Sequence, residues 1–382
     1  MRTVWVRLAV PYPVLIGNGA MARAGALARR HLPRGGRVFV ITNPTVRQHC
    51  LAPLQVSLGR AGLKAAVLLM PDGEAAKTMS TAARLAEDLA RAGADRGALI
   101  LALGGGVVGD VAGFVAAIYM RGVPVIQLPT TVVAMLDSAI GGKTGVNLRA
   151  GKNLAGSFHQ PRAVLADLDL LASLPEREYR SGLAEALKCG VIADARLFGR
   201  MERETTALRR RAAKPLAAAI MGAAAIKARI VASDEREGGL RRILNYGHTL
   251  GHALESATRY RQFLHGEAVG WGMIAAARLA AVRGGLGGAE AARIERATLA
   301  LLSPLPAIHT DAARILRHAQ RDKKASAGIV HFVLPTGIGQ VEVAVPPAAA
   351  VRQALLDTIA LSRRPLNSSR RERRAARPAN DR

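Results

Sequence analysis

The chain has 382 residues, enough for two separate cores, and half of them are hydrophobic. No run of about 20 residues is continuously apolar, and Arg2 and Arg7 flank only a short apolar stretch, so neither a membrane span nor a secretory leader is predicted. The net charge is +26, part of it in an Arg-rich C-terminal segment, and such a field attracts anions; without interleaved aromatics or a reading motif it marks no specific nucleic-acid partner, and two cysteines, Cys50 and Cys189, suit a reducing, cytoplasmic setting better than a disulfide framework.

The first half alternates short apolar runs with helical stretches. Strands are predicted at Arg37–Thr42, Ala65–Met70, Ala98–Leu103, Val123–Leu128 and Ala163–Leu168, each bounded by Gly, Pro, Asn or Asp. Helical periodicity occupies Thr78–Ala92 and Val107–Met120. Strand–helix–strand alternation predicts an α/β domain with a parallel sheet covered by helices.

The run Ala98–Leu103 leads into Gly104, Gly105, Gly106, Val107, Val108, Gly109 and Asp110, and a helix follows. Gly104, Gly106 and Gly109 satisfy G-x-G-x-x-G in the strand–turn–helix setting that a dinucleotide pyrophosphate requires. A tight turn without a ligand would need similar glycines. The acidic residue that normally holds the ribose is missing, because the next strand ends Leu128-Pro129-Thr130-Thr131. Asp72-Gly73-Glu74, after the Ala65–Met70 strand, could supply those contacts instead.

Farther on, Asp137–Asn147 and Gly151-Lys152-Asn153 read as a glycine-rich loop carrying Lys143 and Lys152, suited to a phosphate or carboxylate. It is no P-loop, since Asp137 stands where that motif needs glycine. Lys227, Arg241, Arg242, Lys323 and Lys324 add cations, any of which could belong to an ordinary solvated face.

After Leu174-Pro175-Glu176, a helix start, the pattern is almost wholly helical to Leu302. Breaks are expected at Lys214-Pro215, Glu237-Gly238-Gly239, Arg259–Leu264 and Gly284–Gly288. A strand pair, Ile329–Leu334 and Gln340–Val345, and a helix over Ala348–Leu361 follow. The predicted organisation is an α/β domain over 1–176, a mainly α-helical domain over 177–362, and a disordered basic tail over 363–382.

Within the helical half, His248 and His252 are four apart and share a helix face, while His265 opens the next helix. Glu185 and Lys188 lie three apart on an earlier helix. Two imidazoles and a carboxylate would hold a divalent metal with one position left open. Spacing alone does not choose which two histidines bind.

Taken together, the stretches Asp72–Lys77, Gly104–Asp110, Tyr119–Gly122, Pro129–Thr131, Asp137–Asn147, Gly151–Phe158, Gly182–Lys188, Asp234–His252, Leu264–Val269 and Asp322–Lys324 resemble the 3-dehydroquinate synthases, members of the sugar-phosphate cyclase family. The likeness runs over roughly residues 10 to 360; the start at Val4–Val14 and the basic tail depart from it without touching the motifs. It implies a Rossmann-like N-terminal domain, a helical C-terminal domain and a homodimer. It implies one zinc or cobalt ion on Glu185, His248 and His265, with His252 facing the substrate. NAD would be held by Asp72, Gly73, Glu74, Lys77, Gly104–Asp110, Thr130, Thr131, Lys143 and Lys152. The implied substrate is a small sugar-acid phosphate, 3-deoxy-D-arabino-heptulosonate 7-phosphate. It would become 3-dehydroquinate by transient oxidation at C5, phosphate elimination, re-reduction and intramolecular aldol closure.

By the same resemblance, Lys143, Asn153, Asn245, His252 and Lys323 or Lys324 surround the phosphate, and Arg121 reaches it from a partner subunit. Lys152, Lys227 and Arg241 hold the carboxylate, while Asp137, Glu185, Lys188 and Glu237 lie near the ring hydroxyls and the metal. Cyclases that make 2-epi-5-epi-valiolone or 2-deoxy-scyllo-inosose are the nearest rivals. Asn245, His252 and Asp322-Lys323-Lys324 favour the dehydroquinate reading.

Overall fold

The computed structural model describes residues 1–320 and 330–364; Asp322, Lys323, Lys324 and the segment from Pro365 lie outside the described residues. The chain divides into two compact units, Met1–Leu244 and Asn245 onward.

The first unit is built on β1 (Arg2–Val6), β2 (Tyr12–Gly17), β3 (Val38–Thr42), β4 (Ala65–Leu69), β5 (Leu99–Gly104) and β6 (Val125–Pro129). A hairpin, β7 (Lys143–Leu148) and β8 (Gly151–Phe158), and the strand β9 (Ala163–Asp167) complete it. The seven-stranded sheet has the order β1-β2-β9-β6-β5-β3-β4; only the β1–β2 pair is antiparallel. Its helices are α1 (Ala24–His31), α2 (Pro44–Arg60), α3 (Met79–Arg91) and α4 (Gly106–Ile118).

Strand alternation sorts the core. Val38 and Val40 join Leu54 and Leu58 of α2 on one face, while Phe39 and Ile41 join Leu85 of α3 and Val111 of α4 on the other. Burial on both faces is why β3, β5, β6 and β9 read as continuous apolar runs. The connection from β3 leads to β4 and that from β5 leads the opposite way to β6. The carboxyl ends of β3 and β5 therefore flank a topological switch point, where open α/β sheets bind ligands.

Four more helices belong to the first unit: α5 (Glu176–Ala193), α6 (Ala195–Arg203), α7 (Thr205–Arg209) and α8 (Ala213–Ser233). The predicted change at 176/177 coincides with the onset of α5, whereas the division into compact units falls later, after Leu244. The Lys214-Pro215 break lies in the first turn of α8, a position that tolerates proline. Among the described residues α8 is long and apolar enough to cross a membrane by length and composition, which departs from the expectation of no such span. It packs against α5 and the sheet, and more than half of its apolar window (56%) is buried, as in a core helix.

The second unit holds α9 (His248–Ala257), α10 (His265–Val282), α11 (Gly288–Leu302), α12 (Ala312–Gln320), the hairpin β10 (Phe332–Gly337) with β11 (Gln340–Ala344), and α13 (Ala348–Ser362). Leu254, Phe263, Trp271, Ile274, Ile315 and Leu355 form its core. The gaps at Arg259–Leu264 and Gly284–Gly288 separate α9, α10 and α11 as expected. Two expectations change. The first two strands escaped prediction, and the glycine-rich stretch after Asp137 is largely an antiparallel hairpin, where pairing overrides the weak strand propensity of glycine and lysine.

Candidate active site

The glycine turn joins β5 to α4. A Cβ on Gly104 would come within 2.5 Å of the Val108 side chain, so glycine is what lets the strand run directly under the helix. Gly105 caps α4 in extended backbone without a side-chain cap, and the N–H groups of the first turn are presented as an anion site would need them. Thr130 N–H donates to the Gly104 carbonyl at 3.0 Å, and Thr131 packs on Gly105 while its hydroxyl caps Ala134 N–H at 3.2 Å. Gly104, Gly105, Gly106, Val107, Val108, Gly109, Thr130 and Thr131 thus come together at one end of the sheet.

Beside them, Asp72 accepts a hydrogen bond from Thr45 at 3.1 Å, at the start of α2. Gly73 has φ 85 and opens the short turn carrying Glu74. Lys77 is buried, and its ammonium donates to Asp110 at 2.5 Å and to Asn153. Burial pushes the Asp110 carboxyl up, against the pull of Lys77. Lys152 lies 3.7 Å from Glu74.

A second group of charges is also part of the first unit. Lys188 and Glu185, one turn apart on α5, are paired at 2.5 Å and almost wholly buried. Asp137, in a π-helical turn over Ala134–Ser138, pairs with Lys227 of α8. Burial alone would raise the Asp137 carboxyl; Lys227 and then Lys188 outweigh it and hold it below the ordinary range. Burial would likewise lower Lys188, but Glu185 and Asp137 hold it above its usual value. Alternating signs let four charges share a space that none could occupy alone.

Lys143 pairs with Glu237, and burial lowers the lysine's pKa despite that partner. Arg241 is only 1% exposed and donates to the Glu235 carbonyl at 2.6 Å and the Gly141 carbonyl at 3.3 Å. Gly141 N–H in turn donates to the Tyr12 hydroxyl at 2.9 Å. The loop bearing Glu237 and Arg241 is gathered by Asp234, whose carboxylate accepts from Arg241, Gly239 and Gly238 N–H and is held down at about 2.

Among the described non-glycine residues, seven have positive φ, and three are predicted site residues: Arg121 (67°), Asn153 (53°) and Glu237 (61°). Such backbone costs energy and persists where neighbouring contacts impose it, often at functional sites.

In the second unit, Gly247 (φ 77) precedes α9, and a Cβ on Gly272 of α10 would lie 1.9 Å from the Gly247 carbonyl oxygen. The two helices therefore meet at backbone distance. His248, His252 and His265 gather there, with one ring nitrogen of each within 4.8 Å of the others. His248 Nδ1 lies 3.0 Å from the Tyr246 carbonyl and His265 Nδ1 lies 3.2 Å from Glu255 Oε2. Carbonyl and carboxylate partners at Nδ1 are the usual supports of metal-bound imidazoles, and they leave Nε2 available to a metal. The donor set fits zinc or cobalt. Asn245 opens this unit, while Glu185 belongs to the first.

The model for the N-terminal part of 3-dehydroquinate synthases matches residues 67–181, and that for the C-terminal part matches residues 182–325. The 3-dehydroquinate synthase of Koribacter versatilis is 51% identical over 334 residues, covering 87% of this chain and 91% of that protein. The chain belongs to the 3-dehydroquinate synthase family. Structures of related enzymes share the fold. A 2-deoxy-scyllo-inosose synthase solved with carbaglucose-6-phosphate, NAD+ and Co2+ superposes with a TM-score of 0.86 at 25% identity, over 93% of this chain and all of that one. The 2-epi-5-epi-valiolone synthase of Streptomyces hygroscopicus, with NAD+ and Zn2+ bound, gives 0.82 at 31% identity, over 91% and 96%.

Asn147, Asp234 and Glu255 lie in or beside the motifs of the 3-dehydroquinate synthase resemblance, yet neither spacing nor the resemblance gives them a role. Tyr12 had no local signal at all, since its partner is 129 residues away.

Proposed function

We propose that this chain is a 3-dehydroquinate synthase: it converts 3-deoxy-D-arabino-heptulosonate 7-phosphate to 3-dehydroquinate and phosphate, an early step of aromatic amino-acid biosynthesis by the shikimate pathway. The observation that carries the reading is the bond from Lys77, a cofactor-loop residue, to Asn153, a substrate-side residue. The bond ties the loop that carries Lys77 to the hairpin that carries Asn153, which supports a single site, as a reaction needs when its NAD is consumed and regenerated without leaving.

Bound NAD would take up and return a hydride at C5, and a divalent ion on Glu185, His248 and His265 would acidify the hydroxyl there. The protein's own residues position and neutralise. Lys143, Asn153, Asn245, His252 and one of Lys323 or Lys324 would hold the phosphate, while Lys152, Lys227 and Arg241 would hold the carboxylate. Arg241 is fixed before substrate arrives by two carbonyls, so its charge costs no reorganisation on binding. Asp137, Lys188 and Glu237 face the ring hydroxyls. Lys227 and then Lys188 outweigh burial and hold the Asp137 carboxyl below its ordinary range, which favours its charged form. With the leaving phosphate able to accept the C6 proton, the residues need only orientation and charge.

We further propose a homodimer in which Arg121 crosses to the partner's site. Exposed Ile118, Met120, Leu154 and Phe158, on the end of α4 and on the hairpin, support an apolar contact there. Two buried free cysteines suit a reducing, cytoplasmic setting.

The decisive measurement supplies metal-loaded protein with catalytic NAD and the heptulosonate phosphate, and follows inorganic phosphate and 3-dehydroquinate together. Both should appear in equal amounts, with no net NADH, and activity should vanish on chelation or in Lys143→Ala. Phosphate release without 3-dehydroquinate, or none from a folded, NAD-bound protein, overturns the reading in favour of another sugar-phosphate cyclase.

A further inference from the structure

We propose that Asn147 is a positioning residue that couples the cofactor loop 72–78 to the anion-binding hairpin, so that filling either side raises affinity at the other. The proposal rests on the reading above and names a regulation of the same site.

β7 and β8 pair in regular antiparallel register from Lys143↔Phe158 to Val146↔Ala155, and the register then shifts to Leu148↔Gly151. Asn147 falls at that irregularity, the one β7 residue opposite Lys152, Asn153 and Leu154, so the extra residues of the bulge are on β8 and Asn147 has no partner in the ladder; such bulges commonly re-aim residues beside a functional site. Its N–H donates instead to the Lys77 carbonyl at 2.8 Å, and it forms a parallel bridge with Thr78. Its side chain works in two directions. Nδ2 donates to Glu74 Oε1 at 2.8 Å, and Oδ1 accepts from Asn153 N–H at 2.9 Å.

Asn153 is thus held in left-handed backbone (φ 53) from two sides, by Asn147 at its N–H and by Lys77 at its amide oxygen. The circuit closes through the backbone between Glu74 and Lys77. A ligand that shifts the loop must shift Asn153 and the neighbouring Lys152, and a phosphate drawn onto those residues must tighten the loop in return, because coupling between sites is reciprocal. Only an amide of this size offers one donor and one acceptor at these points. An aspartate would keep the Asn153 bond but set a second carboxylate against Glu74.

NAD binding to the metal-loaded full-length protein, measured by calorimetry with and without saturating inorganic phosphate, tests the coupling. In the wild type, phosphate should raise NAD affinity several-fold, within the usual range of about 5- to 150-fold for linked sites. In Asn147→Asp that ratio should fall to about one, and NAD affinity alone should drop about tenfold, as for losing a hydrogen bond to a charged group. When Asn147→Asp is combined with Glu74→Gln, a glutamine can donate to the new carboxylate, so the ratio should return. Asn147→Ala, which removes both bonds without adding charge, carries the same test should the aspartate variant not fold.

A wild-type ratio of one, an undiminished ratio in Asn147→Asp or Asn147→Ala, or an equal loss from Asn147→Asp with and without Glu74→Gln would overturn the proposal. A general packing role lowers the melting temperature but leaves the ratio intact. Failure of the parent reading looks different: the wild type itself would not bind NAD or would not release phosphate from the sugar-acid phosphate.

Discussion

Glu255 has no place in the resemblance, yet its carboxylate lies 3.2 Å from His265 Nδ1, a pairing typical of metal-bound imidazoles. It sits on α9, two turns along from His248, so one helix bears both a proposed ligand and the support of another. Glu255→Gln keeps the shape and removes the charge. Zinc or cobalt affinity, read by competition with a chromophoric chelator, should fall about tenfold, at the lower edge of what outer partners contribute. Unchanged affinity would mean that Glu255 does not act through His265. The residue types themselves were legible in sequence: the spacings of His248 with His252 and of Glu185 with Lys188 predict shared helix faces, which α9 and α5 provide, and His265 opens α10 as expected. What spacing could not choose was which imidazoles bind, since all three rings gather. The contacts of His248 with Tyr246 and of His265 with Glu255 become visible only when rings have orientations.

At the level of elements, legibility followed burial. β3, β5, β6 and β9 are fully buried, so each is an apolar run that names itself. β7 and β8, with sequences KTGVNL and GKNLAGSF, are half exposed and rich in glycine and polar residues, and their strand state comes from pairing with each other. β1 and β2 are an antiparallel pair at the sheet's edge, where Trp5 stays exposed and the signal is weak. Caps are another local signal with a measurable consequence. Asp194 accepts from Arg196 N–H at 2.9 Å and Leu197 N–H at 3.0 Å, and so starts α6 directly after α5. Asp194→Ala should cost about 1 kcal/mol, seen as a lower denaturant midpoint for the first unit with kcat unaltered. A loss of activity at equal stability would show that α6 has a role beyond packing.

For the whole molecule, the first unit gathers the nucleotide turn, the cofactor loop, the anion hairpin and the Glu185–Lys188 and Asp137–Lys227 pairs, while the histidines belong to the second. If a homodimer covers the exposed apolar side chains of α4 and the hairpin, Phe158→Glu should yield monomers in sedimentation velocity. KM for the phosphate substrate should then rise more than kcat falls, because Arg121 would no longer reach its partner. A dimer that survives the substitution would place the interface elsewhere.

The sequence by itself determined the family, the parallel sheet, the glycine turn and the roster of charged residues. Each is written in local order: in periodicity, in spacing within a turn or two, or in runs of motif. Tertiary structure alone decided which of those residues meet. Lys77 and Asn153 are 76 apart, Lys227 and Asp137 are 90, and Arg241 and Gly141 are 100. Such encounters depend on how the sheet orders its strands and on where the bulge in β8 sets Asn153 against Asn147, and no short-range pattern carries that information.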